Sequence, residues 1–293
     1  MNGTRGVVDT LITEIATEIA TAEIAIWTVA IATVAIVFSV FAQRRARFDQ
    51  NVAAIIGWAT VRVAALLAML IVLAVQVARS GWLTGADTAT LDWFVAHRSP
   101  IWTTVAIAVT TVGGPAGVAV IAVVVAAVVG WKRRAIGPAV LVLSPVVLAG
   151  TASTLIKHVV GRERPPVAAH MMAETDFSFP SGHVTATTAL VGAVLLVVWA
   201  DAAPGLRARS TATKLTATAA ALMVVAAVMM TRLYLGVHWL TDVSAGALLG
   251  ATAVAAIALL ATVVGLLSGR DREYAGAEVA VPAPPYALPR GSK

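Results

Sequence analysis

The sequence contains no cysteine and few charged residues, and both shortages restrict the class of protein. Without cysteine, neither a disulfide framework nor a cysteine-based metal or redox site is possible. Only 12% of the 293 residues are charged, whereas a soluble domain carries about 25%. By contrast, 59% of the residues are hydrophobic, and apolar runs recur that approach the ~20 residues needed to cross a bilayer. The sequence therefore predicts an all-α integral membrane protein.

Seven apolar segments predict seven membrane-spanning helices. They lie at 24–42, 53–78, 116–131, 135–156, 183–200, 215–231 and 243–267. The last six form a six-helix core domain, residues 53–267, and residues 1–52 hold an acidic segment with Glu14 and Glu18 and one extra transmembrane helix. A further helix is expected to lie at the membrane interface around Trp93 and Phe94. The Pro- and Ala-rich tail, 268–293, is expected to be disordered.

Four short basic segments set the expected orientation. They are QRRARFDQN, WKRR, DAAPGLRARSTATK and GRDR, and alternating spans place all four on one side of the membrane. Basic loops mark the cytoplasmic side, so we expect the C-terminus inside and the N-terminus outside. The net charge of +6 is therefore interpreted as a signal of membrane orientation, and no nucleic-acid partner is expected.

Three polar segments fall on the opposite, external side. They are KHVVGRERP, PSGH and TRLYLGVHWLTD, and charged groups at membrane depth are costly and usually functional. The topology brings Lys157, Arg164 and Arg232 to one membrane face. The planar fork of arginine matches phosphate oxygens, and Ser181 and the Gly182 amide add donors at a helix start. The sequence therefore predicts a site for a phosphate group.

Two histidines and an aspartate add reactive chemistry to this site. Asp242 follows His238 by four residues, which would place both on one helical face and let the carboxylate hold one ring nitrogen as N–H. The other nitrogen is then free to act as a nucleophile. His183, at another helix start, is placed to protonate a leaving oxygen. No cluster of metal ligands is visible near these residues, so no metal and no cofactor are expected.

The three segments resemble the signature motifs of the type 2 phosphatidic acid phosphatase superfamily, which includes lipid phosphate phosphatases, polyprenyl diphosphate phosphatases and vanadium haloperoxidases. The matching residues are Lys157, Arg164 and Pro165; Pro180 through His183; and Arg232, His238 and Asp242. Thr231 stands where the family has serine, and the hydroxyl is kept. The resemblance covers about 53–267, the six-helix phosphatase core.

This resemblance implies a metal-independent lipid phosphatase. His238 would attack phosphorus and form a phosphohistidine, Asp242 would orient it, and His183 would protonate the departing lipid oxygen. The phosphoryl oxygens would be held by Lys157, Arg164, Ser181, Gly182 and Arg232. The substrate would be a lipid-linked phosphate monoester or diphosphate, such as polyprenyl diphosphate, phosphatidic acid or phosphatidylglycerol phosphate. The orientation given by the basic segments would place the site on the outer face, and the Ala- and Val-rich composition with short external loops indicates a bacterial plasma membrane.

Three alternatives use parts of the same site. A lipid-phosphate carrier or flippase needs the cations, but the His238–Asp242 pair and His183 argue against it. A haloperoxidase has the same pocket, but those relatives are soluble. A lipid phosphotransferase has the same first half-reaction, so the sequence leaves this alternative open. The sequence also does not determine the lipid headgroup, the number of phosphates or the oligomeric state. Outside the motif positions, Arg162 and Glu163 are expected to form a solvated pair, with contact between Arg162 and a second phosphate as the alternative.

Overall fold

The protein is helical almost throughout in the computed structural model, which describes residues 2–199 and 210–279. The helices in these residues are α1 (Asn2–Phe48), α2 (Val52–Ala78), α3 (Gly85–Ala96), α4 (Pro100–Val112), α5 (Pro115–Arg133), α6 (Gly137–Val160), α7 (Gly182–Trp199), α8 (Thr211–Tyr234) and α9 (Leu240–Val279). Side chains are described from residue 22, so Glu14 and Glu18 lie outside the described side chains. Residues 268–279, which were predicted to belong to a disordered tail, are helical and continue α9, and residues 280–293 lie outside the described residues.

Within the described residues, six helices are long and apolar enough to cross a membrane. They are α1 from Ala22 onward, α2, α5, α6, α8, and α9 as far as Gly265. The remaining predicted span, α7, has 18 residues, which lies at the short end of the range that crosses ~30 Å of hydrocarbon. The predicted fold class is confirmed: an all-α membrane protein with a six-helix core and one extra N-terminal helix.

Local sequence signals determine where several helices begin and end. Asn51 caps α2 by accepting a hydrogen bond from the amide three residues on, at 3.0 Å. Ser210 caps α8 in the same way at 3.1 Å. α6 ends at Gly161, whose φ of +61° is in the left-handed region that glycine adopts readily. The chain therefore turns one helical turn after Lys157, and the loop beyond α6 stays near the Lys157 side chain.

The long connection between α2 and α5 contains two helices. A helix is present where one was predicted around Trp93 and Phe94, and these two side chains line a cavity of about 410 Å³ together with residues of α4 and α8. α4 was not predicted; its 13 residues extend about 20 Å, which is too short to cross a membrane. The turn after α4 lies beside the site, because a β-carbon on Gly114 would lie 3.2 Å from His183 Nε2.

The extra helix α1 packs along α2 and is joined to it by polar contacts. Arg62 of α2 donates to Gln43 Oε1 at 2.7 Å and to Ser39 Oγ at 3.2 Å. Such contacts satisfy polar groups that hydrocarbon cannot. Trp27 and Phe41 on α1 remain exposed, which is typical of a helix that faces lipid.

α7 and α9 approach each other closely at glycine residues, and this contact positions the polar segments. A β-carbon on Gly246 would lie 2.7 Å from the Ser181 carbonyl oxygen, and one on Gly250 would lie 2.7 Å from the Thr185 carbonyl oxygen. Small residues four apart let helix backbones pack together in membranes. At one end of the contact, the Ser181 amide donates to the Asp242 carbonyl oxygen at 3.0 Å. This bond joins the PSGH segment to the start of α9.

We predict that Gly250→Ala destabilises the protein, because the added methyl group would overlap the α7 backbone. Overpacking of this kind costs about 1–3 kcal/mol. Gly57→Ala in α2 is the matched control, since nothing lies within 4 Å of a β-carbon there and alanine favours a helix more than glycine does. Thermal unfolding of the detergent-purified variants measures the difference. Equal melting temperatures would contradict the close-packing argument.

Candidate active site

The structure brings the three polar segments together at one end of the helix bundle. Arg164, in the loop after α6, reaches the same place as four residues at helix ends. These are Lys157 in the last turn of α6, His183 in the first turn of α7, Arg232 in the last turn of α8 and Asp242 in the first turn of α9. Successive spanning helices run in opposite directions, so these four ends meet on one side of the bundle.

His238 is buried in a bend between α8 and α9. Its Nδ1 lies 3.3 Å from Asp242 Oδ2, so the two side chains are in contact. The prediction that both residues lie on one helical face is wrong, because α9 begins only at Leu240. The contact comes instead from the turn that opens α9, where Asp242 Oδ2 also accepts from the Trp239 amide at 2.9 Å.

The neighbours of the His238 ring determine which nitrogen carries the proton. Arg164 Nη1 lies 3.3 Å from Nε2, and arginine can only donate. Nε2 therefore accepts, and Nδ1 carries the proton toward Asp242. Burial, followed by the charges of Arg232 and Arg164, holds the pKa of His238 well below its ordinary value. The imidazole is thus neutral at pH 7, with its Nε2 lone pair directed at the cations.

The three predicted phosphate-binding cations are paired with carboxylates of the loop between α6 and α7. Glu174 binds Arg232 and lies 3.6 Å from Arg164. Asp176 binds Arg164 and lies 2.9 Å from Lys157 Nζ. Each carboxylate thus bridges two cations, with Arg164 shared between them. Neither acid was predicted from the sequence; the available signal was their place in AETDF, between the first two motifs.

The cations keep both acids ionised. Although burial raises the pKa of Asp176, its hydrogen bonds and ion pairs with Lys157 and Arg164 lower it to about 2. Burial also raises the pKa of Glu174, but Arg232 and Arg164 outweigh it and the net shift is downward. Anionic oxygens therefore already contact the cation cluster, and a phosphate group that binds there competes with them.

Two of the predicted phosphate ligands have polar atoms without partners. Ser181 Oγ and Arg232 Nε are buried and have no hydrogen-bond partner among the described residues. Arg232 Nη1 donates to Thr110 Oγ1 at 2.9 Å and approaches His183 Nε2 at 3.4 Å. The Gly182 amide lies at the start of α7, where amides have no partner within the helix. Buried unpaired polar atoms are unusual, and here they favour an anionic ligand.

Arg162 does not form the solvated pair with Glu163 that was expected from the sequence. Its side chain is only 15% exposed. Nη1 donates to Asp242 Oδ1 and Nη2 donates to Asp87 Oδ2, each at 2.6 Å. The physical reason is that a fully buried carboxylate needs a cation beside it. Spacing gave no indication of this contact, because Asp87 lies 75 residues away in sequence.

A cavity of about 670 Å³ lies beside the cation cluster and follows α6. Lys157 and Arg164 line it at one end, and its lining on α6 continues through Thr154, Ser153 and Gly150. The distance from Lys157 to Gly150 along the helix axis is about 10 Å. The cavity therefore continues for about two helical turns beyond the cations, between small side chains.

Fold and site together define an all-α membrane protein with a buried histidine, a carboxylate in contact with it and a cation cluster at one end of the bundle. A model of the PAP2 superfamily matches residues 138–264, which contain all three motifs. These residues belong to the PAP2 superfamily, and the resemblance to type 2 phosphatidic acid phosphatases that the motifs predicted is confirmed.

Two solved structures are similar to this chain. One is a transmembrane PAP2-type phosphatidylglycerolphosphate phosphatase from Bacillus subtilis, with a TM-score of 0.59 and 24% identity, covering 72% of this chain and 96% of that chain. The other is LpxE from Aquifex aeolicus, with a TM-score of 0.42 and 16% identity, covering 59% of this chain and 94% of that chain. The first similarity establishes the fold. No curated protein matches the chain.

We predict that Asp176→Asn strengthens the binding of inorganic phosphate, because it removes a negative charge that competes for Lys157 and Arg164. The Asp176 side chain is 56% exposed, so its ion pairs should contribute as little as other exposed pairs do. We therefore expect the Kd for phosphate to fall about two- to fivefold. Glu163→Gln is the control, since this exposed acid lies in the same loop. Titration calorimetry at pH 7 and low salt measures both. An unchanged Kd for Asp176→Asn would argue against competition.

Proposed function

We propose that the protein is a membrane phosphatase that hydrolyses lipid-linked phosphate monoesters or diphosphates through a phosphohistidine intermediate. The observation that carries the proposal is the His238 ring, whose Nδ1 faces Asp242 and whose Nε2 faces Arg164 in the cation cluster. A neutral imidazole held in this way is an activated nucleophile. It is directed at the place where the cations would hold an anionic group.

In the first half-reaction, His238 Nε2 forms a bond to phosphorus, and the bond between phosphorus and the lipid oxygen breaks. The ring gains positive charge, which Asp242 stabilises through the Nδ1 proton. The bound anionic phosphate offsets the charge of Arg232, so that His183 takes up a proton and donates it to the departing oxygen. The phosphoryl oxygens are stabilised by the remaining donors, Lys157, Arg164, Ser181, Gly182 and Arg232.

In the second half-reaction, water attacks the phosphohistidine. His183, now neutral, accepts a proton from the water as the new oxygen–phosphorus bond forms. The bond between phosphorus and His238 Nε2 breaks, and the ring returns to its neutral state. Phosphate then leaves, and Glu174 and Asp176 can return to the cations. In a phosphotransferase the same step would use a different acceptor, so the released product distinguishes the two activities.

The cavity below the cations supports a lipid substrate. With the phosphate at Lys157 and Arg164, the first carbon atoms of the lipid would lie along α6 toward Gly150. Burying a chain contributes about 0.8 kcal/mol per CH₂, so lipid phosphates should be preferred over soluble esters. Candidate substrates are polyprenyl diphosphate, phosphatidic acid and phosphatidylglycerol phosphate. The last corresponds to the activity named for the Bacillus subtilis structure.

The central test is phosphate release from a panel of these lipids by purified protein in the presence of EDTA, with His238→Ala as the critical variant. We expect the wild type to release phosphate with a chelator present, because the three cations supply the charge that a metal would otherwise supply. His238→Ala should lose activity by at least about 10⁴-fold, since it lacks the nucleophile. Near-normal turnover by a folded His238→Ala protein would rule out this mechanism.

The control for that test is His97→Ala. His97 is an exposed histidine at the end of α3, stacked on Trp93. Its removal should leave phosphate release unchanged. Measuring phosphate released against phosphate transferred to added alcohols separates hydrolysis from phosphotransfer, and a carrier or flippase would release no phosphate at all.

We place the site on the external face of the plasma membrane, because the four basic segments are assigned to the cytoplasm. We predict that a cysteine introduced as Ala168→Cys reacts with a membrane-impermeant maleimide on intact cells. Ala168 is exposed in the loop after Arg164, and the absence of native cysteine leaves no background. A cysteine introduced at Arg134, in the basic turn between α5 and α6, should react only after permeabilisation. The reverse pattern would move the site to the cytoplasm.

A further inference from the structure

We infer that Asp87 and Arg162 are positioning residues that orient the Asp242 carboxylate and, through it, the His238 ring. The inference rests on the proposed function, because it assigns roles within that reaction. Neither side chain belongs to the motif positions matched to the family, and Asp87 lies outside the matched residues 138–264 altogether.

Asp87 is a buried carboxylate that joins α3 to the start of α9. It is only 2% exposed. Its Oδ1 accepts from the Thr241 amide at 2.8 Å, and its Oδ2 accepts from Thr241 Oγ1 at 2.8 Å and from Arg162 Nη2 at 2.6 Å. A carboxylate on one helix thus caps the first turn of another. The turn it caps is the one that carries Asp242.

Arg162 transmits this anchoring to the Asp242 carboxylate. Its Nη1 lies 2.6 Å from both Thr241 Oγ1 and Asp242 Oδ1. Oδ1 of Asp242 is thereby held by Arg162, while Oδ2 accepts from the Trp239 amide and faces His238. With each oxygen held on its own side, the carboxylate cannot rotate without breaking a charge-assisted hydrogen bond. The direction of the His238 Nδ1–H bond is fixed as a result.

The charges of the three groups give Asp87 a second role. Asp87, Arg162 and Asp242 together carry one negative charge, because the guanidinium is shared by two carboxylates. That remaining charge is available to stabilise the His238 ring when it becomes positive in the transition state. If Asp87 were neutral, Arg162 and Asp242 would form a neutral pair, and the ring would lose that stabilisation. The effect acts on the reacting state and not on phosphate binding.

The test compares Asp87→Asn with Asp92→Asn, which removes an exposed carboxylate from the same helix. We expect Asp87→Asn to lower kcat about 10- to 100-fold, the range expected when a reacting group is misplaced by a distant change. KM and the Kd for inorganic phosphate should stay within about twofold, because the cation cluster is unchanged. Asp87→Glu, which keeps the charge, should recover part of kcat. Asp92→Asn should behave as the wild type.

A double-mutant cycle tests whether Asp87 acts through Arg162. If it does, Asp87→Asn should cost much less in an Arg162→Gln background than in the wild type. Full additivity, or a wild-type kcat for folded Asp87→Asn, would overturn the inference, and so would a loss confined to KM. If Asp87→Asn does not fold, Arg162→Lys serves as the test variant, because lysine cannot bridge two carboxylates as the arginine fork does. We then expect kcat of Arg162→Lys to fall at constant KM. An unchanged kcat would overturn the inference. If neither the wild type nor Asp92→Asn released phosphate from any lipid, the proposed function would fail and this inference with it.

Discussion

A charge buried among apolar helices is costly unless an opposite charge lies beside it, and the end of this molecule that holds the candidate site is built around that requirement. Arg232 and Asp242 are both fully buried. Arg232 is paired with Glu174 and Asp242 with Arg162, and both partners come from the loop between α6 and α7. The loop is therefore held at two points by ion pairs with the helices. Its path is as much a product of electrostatics as of packing.

Helix packing and charge pairing depend on each other at this end of the bundle. The glycine contact between α7 and α9 brings the PSGH segment within hydrogen-bond distance of the Asp242 backbone. Without that approach, His183 and the start of α9 would lie apart, and the cations would not converge. Conversely, the ion pairs hold the helix ends where the apolar surfaces alone would leave them free to slide. Neither interaction alone would define the site.

The spans and the motif residues could be predicted because their signals are local. Long apolar runs and the spacing of the three motifs are both properties of neighbouring residues. Asp87, Glu174 and Asp176 were not predicted, because the position of an acid in a polar stretch does not identify its partner in the fold. The short helix α4 was missed because its 13 residues are apolar but too few to signal a span. The prediction that His238 and Asp242 share a helical face was wrong because spacing does not distinguish a turn from a helix. Both can bring residues four apart into contact.

Asp87 and Thr110 lie outside the residues that match the PAP2 superfamily, yet each contacts a charged residue within that segment. The segment that carries the motifs is therefore not a self-sufficient module. A chimera that transplanted residues 138–264 into a different helical frame would keep every motif but lose the outer partners of Arg162 and Arg232. Divergence among homologues should accordingly show these outer positions changing together with their inner partners, as one co-inherited unit.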